Sequence, residues 1–146
     1  MIERYSRKEI KQIWEDQNRY KIWLEIELTA AQAMEKFKII PKGVTKKVKS
    51  KSKIDVNKIL KIEGKVRHDV IAFLTSIMEK SGKEGRFLHK GMTSSDVLDT
   101  CFNIQLVQSS KIINKEIDEI LKILKSKSLK YKKTICIGRS HGIHAE

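Results

Sequence analysis

Four histidines give the chain its means of moving a proton near neutral pH, and each stands in a different setting. His68 lies between Arg67 and Asp69, so a guanidinium, an imidazole and a carboxylate are consecutive. His89 lies in a glycine-bearing stretch just before Thr93, and His141 and His144 flank Gly142-Ile143 near the end of the chain. A loop histidine held by polar neighbours can donate or accept a proton in a reaction. Thr93-Ser94-Ser95-Asp96 precedes an apolar period, the pattern of a helix N-terminus, where free amides and hydroxyls can hold a carboxylate or phosphate. Each group also has a plainer reading. Arg67-His68-Asp69 can be a helix-end ion pair, Thr93-Ser94-Ser95 a cap and nothing more, and His144 a packing residue. His141 and His144 lack a third ligand at metal spacing, so no metal centre is expected.

The elements that must position these groups read as helices. Ser6-Arg7-Lys8-Glu9 has the form of a capping box, and apolar residues at three and four apart then predict helices over about 7–15 and 18–37. Pro41-Lys42-Gly43 marks a turn, and Val44 with Val48 predicts a short helix inside a lysine run. Asp55 caps a helix through Val56, Ile59, Leu60 and Ile62, and a further one from Val70 ends at Ser81-Gly82. Lys83 to Met92 has no period and reads as a loop. From Ser95 the period runs through Val97, Cys101, Ile104 and Val107 to Leu124, with no proline or glycine before Gly138. A helix over 95–132 would be about 55 Å long, too long for the rest of this chain to cover, so it is expected to belong to a larger bundle. Tyr131 to Ile137 reads as the exit from that helix and Gly138 to Gly142 as a loop, with no strong strand anywhere.

Composition narrows the class. With 146 residues, 40% hydrophobic and 34% charged, the chain fits one domain or part of one, and collagen-like or disordered chains are excluded. The longest uncharged stretch, Thr100 to Ser110, is far short of a membrane span, and Glu3, Arg4, Arg7, Lys8 and Glu9 fill the place of a signal core, which points to the cytoplasm. Cys101 and Cys136 read as buried, reduced thiols. The net charge of +13 comes mostly from lysine, and the run from Lys42 to Lys53 carries six lysines. That run could hold a nucleic-acid backbone, but no aromatic residue falls between Phe37 and Phe73, so a solvated helix face is the better reading.

Taken together the motifs say more than each alone. Met1-Ile2-Glu3-Arg4-Tyr5-Ser6, Arg67-His68-Asp69-Val70, His89 to Val97 and Gly138 to Glu146 occur in an order that closely resembles the N-terminal third of the bacterial adenylosuccinate lyase family, within the fumarase/aspartase superfamily. The resemblance covers residues 1–146. Thr-Ser-Ser-Asp and Gly-Arg-Ser/Thr-His are shared across the superfamily, whereas the Arg-Tyr-Ser start and the Arg-His-Asp triplet point to this branch. Met92, where leucine is common, and Ser140, where threonine is frequent, are mild departures.

The resemblance implies a cytoplasmic enzyme of purine biosynthesis. It would eliminate fumarate from adenylosuccinate, leaving AMP, and from the succinylated aminoimidazole carboxamide ribotide, with neither metal nor organic cofactor. It implies His141 as general acid, with His68 supporting. Substrate would be bound by Arg4 and Tyr5, by Arg67, His68 and Asp69, by His89, and by Thr93 and Ser94 on the succinyl carboxylates. It further implies an all-α fold, an N-terminal helical domain over 1–93 and the start of the central bundle over 94–146, in a homotetramer whose sites combine several subunits. The family's base is a serine on a downstream loop that nothing in these 146 residues matches, so the chain is expected to be cut short and inactive alone. Two other classes stay open: a sister fumarate-releasing lyase such as one acting on argininosuccinate, and a basic helical nucleic-acid-binding module.

Overall fold

The computed structural model describes residues 2–145; Met1 and Glu146, the outermost residues of the first and last motifs, lie outside the described residues. Among the described residues six helices carry the chain: α1 (Lys8–Ile13), α2 (Asp16–Lys36), α3 (Val44–Lys51), α4 (Val56–Val66), α5 (Asp69–Ser81) and α6 (Ser94–Tyr131). Short 3-10 turns occupy Glu3–Tyr5 and Gly82–Phe87, and a hairpin of β1 (Gly138–Ser140) and β2 (Ile143–Ala145) follows α6. The fold is all-α, as the periodicity implies. The hairpin corrects the reading of Gly138 to Gly142 as a plain loop.

Two compact units divide the chain, residues 1–109 and 110–146. In the first, α4 packs on α5, and α2 packs on α1, α3 and α4. Tyr20 and Phe73 stack with ring centroids 5.9 Å apart, and Trp23 meets both edge-on. Ile59, Val44, Val48, Ile77, Val97 and Cys101 belong to the same core. Burial pushes the pKa of the Tyr20 hydroxyl and of the Cys101 thiol up, because their charged forms lose water. Cys136, in contrast to the expectation of a buried thiol, is exposed.

Local chemistry sets the helix ends. Asp55 accepts from the Lys58 amide at 3.0 Å and starts α4, while Gly82, at φ +70°, ends α5. The N-terminus of α3 is capped from outside: Glu35 of α2 accepts from the Gly43 and Thr45 amides. The expected capping box at Ser6 and Glu9 does not form. The Ser6 hydroxyl donates instead to the Ile2 carbonyl of the preceding 3-10 turn, and α1 begins at Lys8.

On α6 the buried residues of the first unit are Val97, Cys101, Gln105 and Ser109, spaced by four, whereas Ile104 and Val107 are exposed. Gln105 belongs inside because its amide donates to the Ile13 carbonyl at the end of α1, at 2.7 Å. In the second unit the helix carries exposed Ile113, Ile117, Ile120, Leu121 and Leu124. Among the described residues no helix is long and apolar enough to cross a membrane.

Candidate active site

Arg4 and Tyr5 sit in the first 3-10 turn, both exposed, with the guanidinium 4.8 Å from the ring centroid. Glu3 beside them hydrogen-bonds Lys11, which holds the Glu3 carboxyl below its usual range and raises the Lys11 ammonium. This ties the turn to α1 and leaves Arg4 facing solvent.

Arg67, His68 and Asp69 form the joint between α4 and α5. Arg67 closes α4 in the left-handed region, at φ +56°, and its amide donates to Glu63 at 2.8 Å. His68 caps α5: its Nδ1 accepts from the Ile71 amide at 3.4 Å, so the neutral ring carries its proton on Nε2. Asp69 accepts from the Val70 amide at 2.7 Å and lies 3.6 Å from His68 Nδ1. Both side chains therefore direct their hydrogen bonds to the helix start, and the exposed Nε2–H of His68 is the donor left for a ligand.

His89 is held differently. Its backbone amide donates to Oε2 of Glu27 at 2.7 Å, and its Nδ1 lies 2.6 Å from Oε1 of the same carboxylate. Glu27 sits in the middle of α2 and is 1% exposed. Reading the motifs alone misses this residue, although it falls seven after Tyr20 and four after Trp23, on the stripe that α2 buries. A carboxylate on an apolar stripe is the signal that finds it.

At the start of α6 the Thr93 amide donates to the Asp96 carboxylate at 2.8 Å, the half of a capping box that the acidic residue supplies, while the Asp96 amide turns back to the Thr93 backbone carbonyl at 3.1 Å. The Thr93 amide is thereby occupied. An anion at this end would meet the hydroxyls of Thr93 and Ser94 and the amides of Ser94 and Ser95.

The second unit contains His141 and His144. Ser140 pairs with Ile143, so His141 and Gly142 are the two central residues of a tight hairpin turn. Their φ values are +51° and +77°, the pair of positive angles that a type I′ turn requires. His141 is at the tip, exposed, and His144 pairs with Arg139 across the ladder.

Left-handed backbone links three of these positions. Among the described residues four non-glycine residues have positive φ: Lys38, Arg67, His89 and His141. For such residues this region costs about 1–2 kcal/mol, and it is enriched at functional sites. Of the candidates in the first unit, Glu27 and His89 are in contact and His68 and Asp69 are adjacent; Arg4, the Arg67 joint and the start of α6 stand on separate elements. No group of three or more His, Cys, Asp or Glu side chains among the described residues could hold a metal ion.

The protein family described as Lyase matches residues 3–146. Over all 146 residues the chain is 44% identical to adenylosuccinate lyase from Staphylococcus saprophyticus subsp. saprophyticus, of which it spans 34%. Fumarate lyase from Mesorhizobium sp. BNC1 superposes with a TM-score of 0.85 at 21% identity, over 93% of this chain and 33% of that one. The β-carboxy-cis,cis-muconate cycloisomerase from Acinetobacter calcoaceticus sp. ADP1 gives 0.85 at 21%, over 95% and 34%. At that identity the two structures speak for the fold, and the chain covers about a third of each relative's length. Because the family match runs from residue 3 to residue 146, nearly the whole chain, the chain belongs to the lyase family.

Proposed function

We propose that this chain is the N-terminal portion of an adenylosuccinate lyase, which eliminates fumarate from adenylosuccinate to leave AMP and acts likewise on the succinylated aminoimidazole carboxamide ribotide of purine biosynthesis. The observation that carries this reading is the 44% identity, over the whole chain, to a relative of that name. In this reading His141 protonates the departing nitrogen as the C–N bond breaks. The exposed hairpin tip supports that role, since a general acid must come within hydrogen-bond reach of its target. His68 offers Nε2–H to an anionic group, and Arg67 and Asp69 flank it. Arg4 and Tyr5 hold the nucleotide, Arg4 by its planar fork. Thr93 and Ser94 receive the succinyl carboxylates at the positive end of α6.

Residues 1–93 then form the N-terminal helical domain and 94–146 open the central bundle. The apolar residues that α6 leaves exposed after Ser109 support a partner there, in a cytoplasmic homotetramer. The base lies on a segment outside these residues, so the chain alone does not turn over substrate.

The test is a chimera in which this chain replaces the matching third of the Staphylococcus saprophyticus relative. The expected result is release of AMP and fumarate from adenylosuccinate, lowered about 10²–10⁴-fold by His141→Gln. A folded chimera that ignores adenylosuccinate but cleaves argininosuccinate, or a His141→Gln variant with unchanged turnover, overturns the reading.

A further inference from the structure

We propose that Glu27 is a positioning residue which fixes both the backbone and the ring tautomer of His89, so that the ring presents Nε2 to the ligand. The proposal rests on the lyase reading only for what that ligand is.

Glu27 is fully shielded, and among the described residues its side chain forms an ion pair with no lysine or arginine. A carboxylate in that position is costly unless its oxygens are satisfied. Both oxygens go to one residue, His89: Oε2 to its amide and Oε1 to its Nδ1. An ionised carboxylate only accepts, so Nδ1 must carry the proton and Nε2 is the nitrogen left for chemistry. The His89 side chain keeps 17% exposure while that of Glu27 has none, so the pair is anchored inside with part of the ring still open to solvent. The amide bond acts on the backbone, because His89 is held at φ +59°, a conformation that a histidine adopts at a cost. One buried side chain thus sets where the ring is and which nitrogen it offers. For packing alone, an apolar residue at this stripe position would serve without burying a charge.

Glu27→Gln separates positioning from packing. Glutamine keeps one oxygen for the His89 amide but places an NH₂ donor against Nδ1, so the ring proton must move to Nε2. The tautomer is read from long-range ¹H–¹⁵N spectra of the ¹⁵N-labelled chain, at a pH high enough to keep the ring neutral, with His89→Asn identifying the resonance. The expected result is a proton on Nδ1 in the parent and on Nε2 in Glu27→Gln, with melting temperatures within a few degrees of each other. In the chimera, Glu27→Gln should lower kcat/KM about 10-fold or more.

A parent ring protonated on Nε2 overturns the proposal even if the variant fails to fold. So does a variant whose ring keeps the parent tautomer, or one whose tautomer moves while kcat/KM stays within about 2-fold. An inactive parent chimera combined with the expected tautomer exchange would instead refute the lyase reading and leave the Glu27 assignment standing.

Discussion

The hairpin that carries His141 can be taken apart by two substitutions with opposite consequences. Gly142 has φ +77°, and a Cβ built there meets nothing within 4 Å, so Gly142→Ala introduces no clash. Its whole cost is the backbone's, about 1–2 kcal/mol for an L-residue in the left-handed region. Each strand has three residues, all exposed, so no buried face offsets that cost, and a two-stranded hairpin is marginal by itself. The ratio of closed to open hairpin should fall about 5- to 30-fold. His141→Asn does the reverse. Asparagine before glycine is a favoured type I′ pair, so the hairpin should hold or tighten while the imidazole is lost. The assay combines NMR contacts between residues 139 and 144 with turnover of the chimera. Gly142→Ala should weaken the contacts and lower turnover about 10-fold or more, since a 1 Å displacement of a catalytic group can cost on the order of 100-fold. His141→Asn should keep the contacts and lose about 10²–10⁴-fold. Full hairpin contacts in Gly142→Ala would refute the backbone argument, and near-parent turnover in His141→Asn would remove the chemical role of the histidine.

Other consequences can be checked more simply. A Cβ on Gly85 would lie 2.9 Å from the Cα of Met78, backbone that cannot swing aside, so Gly85→Ala should cost about 1–3 kcal/mol in urea unfolding; an unchanged midpoint would contradict the close approach of the 3-10 turn to α5. The Thr45 and Gly43 amides hold the Glu35 carboxyl below its usual 4.5, so its stabilisation is full above that value and is lost as pH falls through the lower folded pKa. Glu35→Gln should therefore flatten the acid limb of a stability-against-pH curve, and parallel curves for parent and variant would refute the cap. Arg4→Ala and Ser94→Ala in the chimera should each weaken substrate binding about 10-fold, because each removes a group that the proposed function assigns to an anion; unchanged KM and kcat in both would sink that assignment.

What could be read from the sequence was whatever depends on one helix at a time. Apolar spacing locates α2, α4, α5 and α6, and Asp55 and Gly82 mark ends that the backbone uses as expected. Failures arise where a second element decides. Ser6 looks like a cap, but the preceding 3-10 turn offers it the Ile2 carbonyl instead. Ile104 and Val107 continue an apolar period and are nonetheless exposed, because the face of α6 that the first unit covers passes through Gln105, which shares the Ile13 carbonyl with Asn18. The hairpin escapes notice since each strand is only three residues long and buries nothing; only His141-Gly142 hints at a turn. Glu27 is hidden by the habit of tracing helix faces through apolar residues, when its charge at a buried register is the informative fact.

The left-handed residues show why the candidate site is more than a set of matched motifs. Lys38 is the reference case: it follows α2, its amide and that of Ile39 return to carbonyls of the last turn, and its role ends with closing a helix. Arg67 has the same geometry after α4, so its backbone alone would argue nothing beyond a helix end. His89 and His141 differ because their left-handed backbone is held by other means, a buried carboxylate in one and a closed hairpin in the other. Glycine would occupy either position more cheaply. An imidazole there costs stability locally, and at His89 a buried charge is added to hold it. The arrangement is intelligible when the ring itself has work to do. On physical grounds His89 is therefore the histidine whose ring and backbone share one buried partner, whereas His141 stands exposed on a closed turn and His68, spending Nδ1 on a helix cap, combines a structural bond with one free donor.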